Sequence, residues 1–229
     1  MNLVTLPVVA AQALWVRART ESPPPPAGAV TGCAGAGTRR PLRVAVIGES
    51  TAAGYGVETH DDGFPGAFAR ELAARTDSFV QWEVSGQYGA TARRIRHRVV
   101  PELGDGLQVV VLLAGVNDVL ARRSPTDWGD DLTAIVDDLG QRAERVAVTG
   151  IPPFTAFPSL PGTLARHLTR RADALDEVSR RICAERPQAT WVPSDDIPAG
   201  REFFARDGFH PAAPGYRRWA QAVADQLPL

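Results

Sequence analysis

Leu42-Arg43-Val44-Ala45-Val46-Ile47-Gly48-Glu49-Ser50-Thr51-Ala52-Ala53-Gly54-Tyr55-Gly56 is the stretch that decides the fold. An apolar, β-branched run stops at Gly48, and small residues and glycines come at once after it. Such a run reads as a buried parallel strand whose carboxyl end delivers Ser50 onto a tight turn before a helix. In open α/β sheets the crevice beyond the strand carboxyl ends is where ligands sit, so the position suits a nucleophile. A serine in that place more often only caps the next helix. The rest of the chain decides between the two readings.

Downstream, helical and strand-like patterns alternate without an internal repeat. Helices are predicted over 64–75, 90–100, 127–143, 163–185 and 213–227, and further strands over 78–85, 107–113, 145–151 and 189–192. Residues 107–113 are continuously apolar, the mark of a central parallel strand, whereas 78–85 alternates and suits a place nearer an edge. This order predicts one three-layer α/β/α domain over 42–229, with a parallel five-stranded sheet and right-handed crossovers.

Upstream, residues 1–20 form an apolar segment with Arg17 and Arg19 at its end. A secretory signal would carry its positive charge ahead of the apolar run, and a bilayer span needs about 20 apolar residues. Residues 1–16 therefore read as a helix that packs on the domain or touches a membrane surface peripherally. Cellular location is left between cytoplasm and membrane. Residues 21–41, with prolines at 23 to 26, read as a flexible Pro/Gly linker. The Val30-Thr31-Gly32-Cys33 stretch, separated from the apolar run by charges and prolines, is not taken as a lipoprotein site.

Composition excludes several classes. A chain of 229 residues with 44% hydrophobic content can bury one full-sized core. A net charge of -1 gives no reason to expect nucleic acid, and the arginines between 93 and 98 have no interleaved aromatics. All 25 basic residues are arginine, which removes Schiff-base and P-loop lysines. Gly48 to Gly56 lacks both the Gly-Lys-Ser/Thr and the Gly-x-Gly-x-x-Gly orders, so no cofactor is expected. Cys33 and Cys183 have no paired metal-ligand spacing. Asp61-Asp62, Asp130-Asp131 and Asp137-Asp138 lack matching histidines and are expected to be solvated, so no metal is expected. His60, His97, His167, Arg122 and Arg123 are expected at the surface. The oligomeric state is not legible.

Four clusters fall at predicted strand ends or before the last helix: Gly48-Glu49-Ser50, Gly86-Gln87-Tyr88-Gly89-Ala90-Thr91, Gly115-Val116-Asn117-Asp118 and Asp207-Gly208-Phe209-His210-Pro211. A parallel sheet would gather all four on one rim. A serine hydroxyl needs a base to become a nucleophile. His210 can serve, since an imidazole titrates near pH 6.5, and Asp207 can fix its tautomer. A tetrahedral oxyanion needs donors already in place. The backbone N–H groups of Ser50 and Gly89 and the Asn117 side-chain amide would supply three. Asp118 is expected to brace its loop. Phe154, Phe157, Leu160, Tyr88, Val116 and Phe209 are the apolar residues available to line an acyl pocket.

These four blocks, in this order, resemble the SGNH branch of the GDSL esterase/lipase family. The resemblance runs through Gly-Glu-Ser at 48–50, Gly89 followed by Thr91, Gly-Val-Asn-Asp at 115–118 and Asp-Gly-Phe-His-Pro at 207–211, and so covers the domain. It implies a flavodoxin-like fold with sheet order 2-1-3-4-5 and hydrolysis of a small-molecule ester or thioester through an acyl-serine. It assigns Ser50 as nucleophile, His210 as base, Asp207 as its partner, and Ser50, Gly89 and Asn117 as the oxyanion hole. Glu49 stands where the family usually has aspartate. The same triad would equally serve a carbohydrate deacetylase, a thioesterase or a lysophospholipase, and a non-catalytic binding domain could keep the fold.

Overall fold

Strands apolar on both faces must be covered on both faces, and that requirement sets the layers. In the computed structural model, which describes residues 5–19, 23–37, 39–194 and 200–227, one sheet runs through the middle. Among the described residues its strands are β1 (Thr31–Ala34), β2 (Arg39–Gly48), β3 (Ser78–Gly86), β4 (Leu107–Leu113), β5 (Ala143–Thr149) and β6 (Ala189–Val192). Their spatial order is β1-β3-β2-β4-β5-β6. The strands from β2 to β6 are mutually parallel and stand in the expected 2-1-3-4-5 order.

The sixth strand corrects the five-stranded expectation. Thr31–Ala34 lies within the segment read as a linker, yet it pairs antiparallel with β3, Thr31 opposite Glu83 and Ala34 opposite Val80. Four residues carry too little periodicity to announce a strand. What specifies it is tertiary: a side chain at Gly32 would collide with the Trp82 indole, so only a glycine lets this strand lie so close. β2 also begins earlier than expected, at Arg39.

Side chains alternate across the central strands. Ala45, Ile47, Val110, Leu112 and Val146 face α3 (Ala92–Arg98), α5 (Pro125–Arg142) and α6 (Gly162–Ala184). Val44, Val46, Val109, Val111 and Leu113 face α2 (Phe64–Thr76) and α7 (Ala213–Gln226). Each fully buried Val, Leu or Ile contributes about 1.5–3 kcal/mol. Helix α5 starts where Ser124 caps it, its hydroxyl accepting from the Asp127 N–H at 3.0 Å, with Pro125 in the first turn. Its buried Trp128 donates to Ser179 Oγ at 3.0 Å, which ties α5 to α6. At the N-terminus α1 (Thr5–Arg19) packs on α6 through Val9 and Ala13, and Gln12 Oε1 accepts from the Leu164 N–H at 3.0 Å. Residues 1–4 of the apolar segment lie outside the described residues. No described helix is long and apolar enough to cross a membrane.

The strand carboxyl ends share one rim, and the turn leaving β2 depends on Gly48. Its φ of +148° lies in the region that favours glycine, and a Cβ there would strike the Leu113 carbonyl on β4. Replacing Gly48 with alanine is expected to cost at least about 1–3 kcal/mol from backbone strain alone. The check is urea unfolding, where the midpoint should fall with little change in slope.

Candidate active site

Neighbouring strands hold the turn after β2 from both sides. Gly48 O accepts from the Gln87 N–H at 3.0 Å, and the Glu49 N–H donates to Leu113 O at 3.0 Å. Within the turn the Tyr55 N–H donates to Ser50 O at 3.0 Å, and Tyr216 Oη on α7 donates to Tyr55 O at 2.7 Å. These bonds set Ser50, 6% exposed, at the rim.

The loop before α7 brings His210 to meet it. The Ala205 N–H donates to His210 O at 2.8 Å and the Ala212 N–H to Phe203 O at 2.8 Å, which folds the loop back on itself. His210 Nε2 then stands 3.0 Å from Ser50 Oγ, and Nδ1 stands 2.6 Å from Asp207 Oδ2. Asp207 Oδ1 accepts from the N–H groups of Phe209 at 2.9 Å and His210 at 3.0 Å. Burial works to raise the Asp207 carboxyl, but the His210 ring and those two N–H groups outweigh it and hold it below the usual carboxylate range. With Asp207 ionised, the ring proton belongs on Nδ1, and the Nε2 lone pair faces the serine hydroxyl.

The other two blocks leave the strands flanking β2. Gly89, exposed beyond β3, has φ +69°, and the space where a Cβ would sit is empty. Asn117 opens α4 (Val116–Leu120) after β4, and its Nδ2 donates to Glu49 Oε2 at 2.7 Å. Asp118 is fully buried; its Oδ2 accepts from the Ala92 N–H at 2.9 Å, and Arg123 Nε lies 3.4 Å from Oδ1. The aspartate expected to brace its own loop therefore also braces the loop carrying Gly89. Two surface expectations are corrected here. Arg123 is turned inward to Asp118 and Asp131, and Asp131 is 6% exposed, held also by Arg96. A buried carboxylate requires such cations, whereas helical periodicity marks only that the position is polar.

Beside Ser50 lies a cavity of about 340 Å³, lined largely by apolar side chains. Of the residues expected to line it, Phe157, Val116 and Phe209 do. Phe154 instead lies fully buried, stacked on Phe157, and Leu160 packs against the core. Tyr88 is outside the cavity lining, its ring 4.7 Å from Tyr55. Phe203, Phe204 and Trp219 complete the wall. The Phe203-Phe204 pair could have been suspected from its apolar character just ahead of the Asp207 block. Asp176 could not: it sits on α6, where it accepts from the Ile151 N–H at 3.0 Å and fixes the loop to Pro152 and Pro153 at the cavity.

Three carboxyls are held above their ordinary range. Burial, then the Asp118 charge, pushes Glu49 up to about 8, against the pull of the Asn117 and Val116 donors. Burial raises Asp118 to about 6 and Asp176 to about 7. Folding therefore takes up protons at these sites, starting from ordinary values of 4.5 for Glu49 and 3.8 for the aspartates. The stability this carries is complete below those values and is lost as pH rises through the folded ones. Urea midpoints should accordingly fall between pH 5 and pH 8, and Glu49→Gln should flatten that fall.

Comparison with known proteins places these features. The model of the GDSL-like lipase/acylhydrolase family matches residues 46–218. The chain is 26% identical over 189 residues to a GDSL-like esterase of Mycobacterium tuberculosis, across 76% of this chain and 58% of that protein. It thus spans little more than half the length of that curated relative. Among solved structures, the family 3 carbohydrate esterase of Clostridium thermocellum has a TM-score of 0.63 at 15% identity, over 82% of this chain and 95% of its own. The lipase/acylhydrolase of Enterococcus faecalis has 0.59 at 21% identity, over 80% and 94%. At such identities these likenesses speak for the fold.

Proposed function

The chain belongs to the GDSL-like lipase/acylhydrolase family, and from that premise we propose that it is a serine esterase cleaving carboxylic esters of small to medium acyl chains. The observation that supports this reading best is the relay from Asp207 through His210 to Ser50, at 2.6 and 3.0 Å. As the Ser50 oxygen attacks the ester carbonyl, His210 Nε2 takes the hydroxyl proton and Asp207 stabilises the imidazolium that forms. The oxyanion is received by the N–H groups of Ser50 and Gly89 and by the Asn117 amide, each such donor being worth about 10²–10³ in turnover. The alcohol leaves with the proton from His210, and acyl-Ser50 remains. A water activated by the same imidazole then releases the acid.

The apolar cavity beside Ser50 is the natural seat for the acyl chain, since it offers aromatic walls and few polar partners. Sugar acetates, thioesters and lysophospholipids would pass through the same triad, and their choice lies in the loops. A panel of acetylated xylan, acyl-CoA and lysophospholipid ranks them.

Ser50→Ala is expected to lower hydrolysis of p-nitrophenyl butyrate by about four orders of magnitude or more while the fold survives. His210→Ala should do the same, and unchanged turnover in either would remove the assignment. Ala156 lines the cavity. Ala156→Trp should shift the acyl-length profile from octanoate toward acetate, read as kcat/KM across p-nitrophenyl esters.

A further inference from the structure

Glu49 is 2% exposed, and nothing in the relay of Ser50, His210 and Asp207 uses its carboxyl. Its carboxyl turns instead to the neighbouring block: Oε2 accepts from Asn117 Nδ2 at 2.7 Å and from the Asn117 N–H at 3.0 Å, and Oε1 from the Val116 N–H at 3.3 Å. One oxygen thus grips both the main chain and the side chain of Asn117. A primary amide has two hydrogens on nitrogen, and the one given to Glu49 leaves the second free. A carboxylate only accepts, so it admits the amide with nitrogen toward it and repels the flipped amide, whose oxygen would face it.

We infer that Glu49 is a positioning residue, which locks the Asn117 side chain in the orientation that offers an N–H to the oxyanion. The inference rests on the esterase reading for its catalytic consequence, but the lock itself does not depend on turnover. A protonated Glu49 carries an O–H, can donate to the amide oxygen and so tolerates the flip. Burial and the Asp118 charge favour that protonated form below about pH 8. The other titratable groups around it are Tyr216 on α7, which feels the Glu49 charge, and the Asp207–His210 pair beyond Ser50. The residue at position 49 therefore acts through position 117, its carboxyl reaching from the end of β2 to the first turn of α4.

The test is a double-mutant cycle on p-nitrophenyl butyrate. At pH 9, where the wild-type carboxyl is ionised, Glu49→Gln should lower kcat about tenfold with KM within twofold, since the donor acts in the transition state. Placed on Asn117→Ala, it should cost nothing further. Independent, multiplying losses, or an unchanged kcat in the single variant, overturn the inference. Should Glu49→Gln fail to fold, NMR of the Ser50→Ala protein with ¹⁵N-labelled asparagine decides. At pH 9 the two Asn117 side-chain protons should stay distinct, the one bonded to Glu49 shifted downfield and slow to exchange with solvent, and a pair at free-amide positions overturns the lock. Because that protein needs no turnover, absence of any hydrolysis in the wild type would remove the esterase reading and leave this measurement intact.

Discussion

Adjacency of three strand ends, β3, β2 and β4, is the constraint on which the site depends. The chain leaving β2 is bonded on one side to the segment after β3 and on the other to the end of β4, by Gln87 N–H to Gly48 O and Glu49 N–H to Leu113 O. Those backbone bonds set where Ser50 lies relative to the segments carrying Gly89 and Asn117, and the Asp118 and Glu49 side chains brace those segments further. Parallel strands have this property because their ends of one kind all point the same way. The 2-1-3 part of the order does the rest, since it places the strand that ends at Ser50 between the two that lead to Gly89 and Asn117.

On this rim, charge is managed by burial as much as by pairing. Asp207 is drained of its proton by donors on its own loop, whereas Glu49 and Asp118 are pushed the opposite way although they lie close by. Asp207 and Glu49 each accept from two main-chain N–H groups and one side-chain donor. The difference is that Asp207 is less deeply buried and faces an imidazole, while Glu49 would hold its charge in a dry site near another carboxyl. Neighbouring acids with separated proton affinities can take separate tasks. Asp118, with Arg123 and Asp131 behind it, ties the loop that carries Gly89 to the one that carries Asn117.

Much of the fold was legible because the apolar runs at 44–47, 107–113 and 146–148 have no other economical place than a doubly covered sheet. The blocks at 48–50, 89, 117 and 207–210 were legible because small residues and polar groups succeed those runs where a crevice must open. What stayed hidden has a common cause. β1, Asp176 and Asp131 are specified by contacts between segments far apart in the chain, and period-based reading sees only near neighbours. Phe154 and Phe157 show the limit neatly: two aromatics three apart in one loop, of which one fills the core and the other lines the cavity. Glu49 was visible as an oddity in its motif, but its reach to Asn117 was not.

The short strand β1 carries one more consequence. Without it, β3 would present nine residues of alternating apolar side chains along an open row of N–H and C=O groups, a template on which another chain could add by hydrogen bonding. β1 occupies part of that row with four residues, Gly32 letting it sit against Trp82. A segment with no part in the site thus exchanges part of the long open margin of β3 for a four-residue edge, the kind of short edge that offers another chain little to pair with.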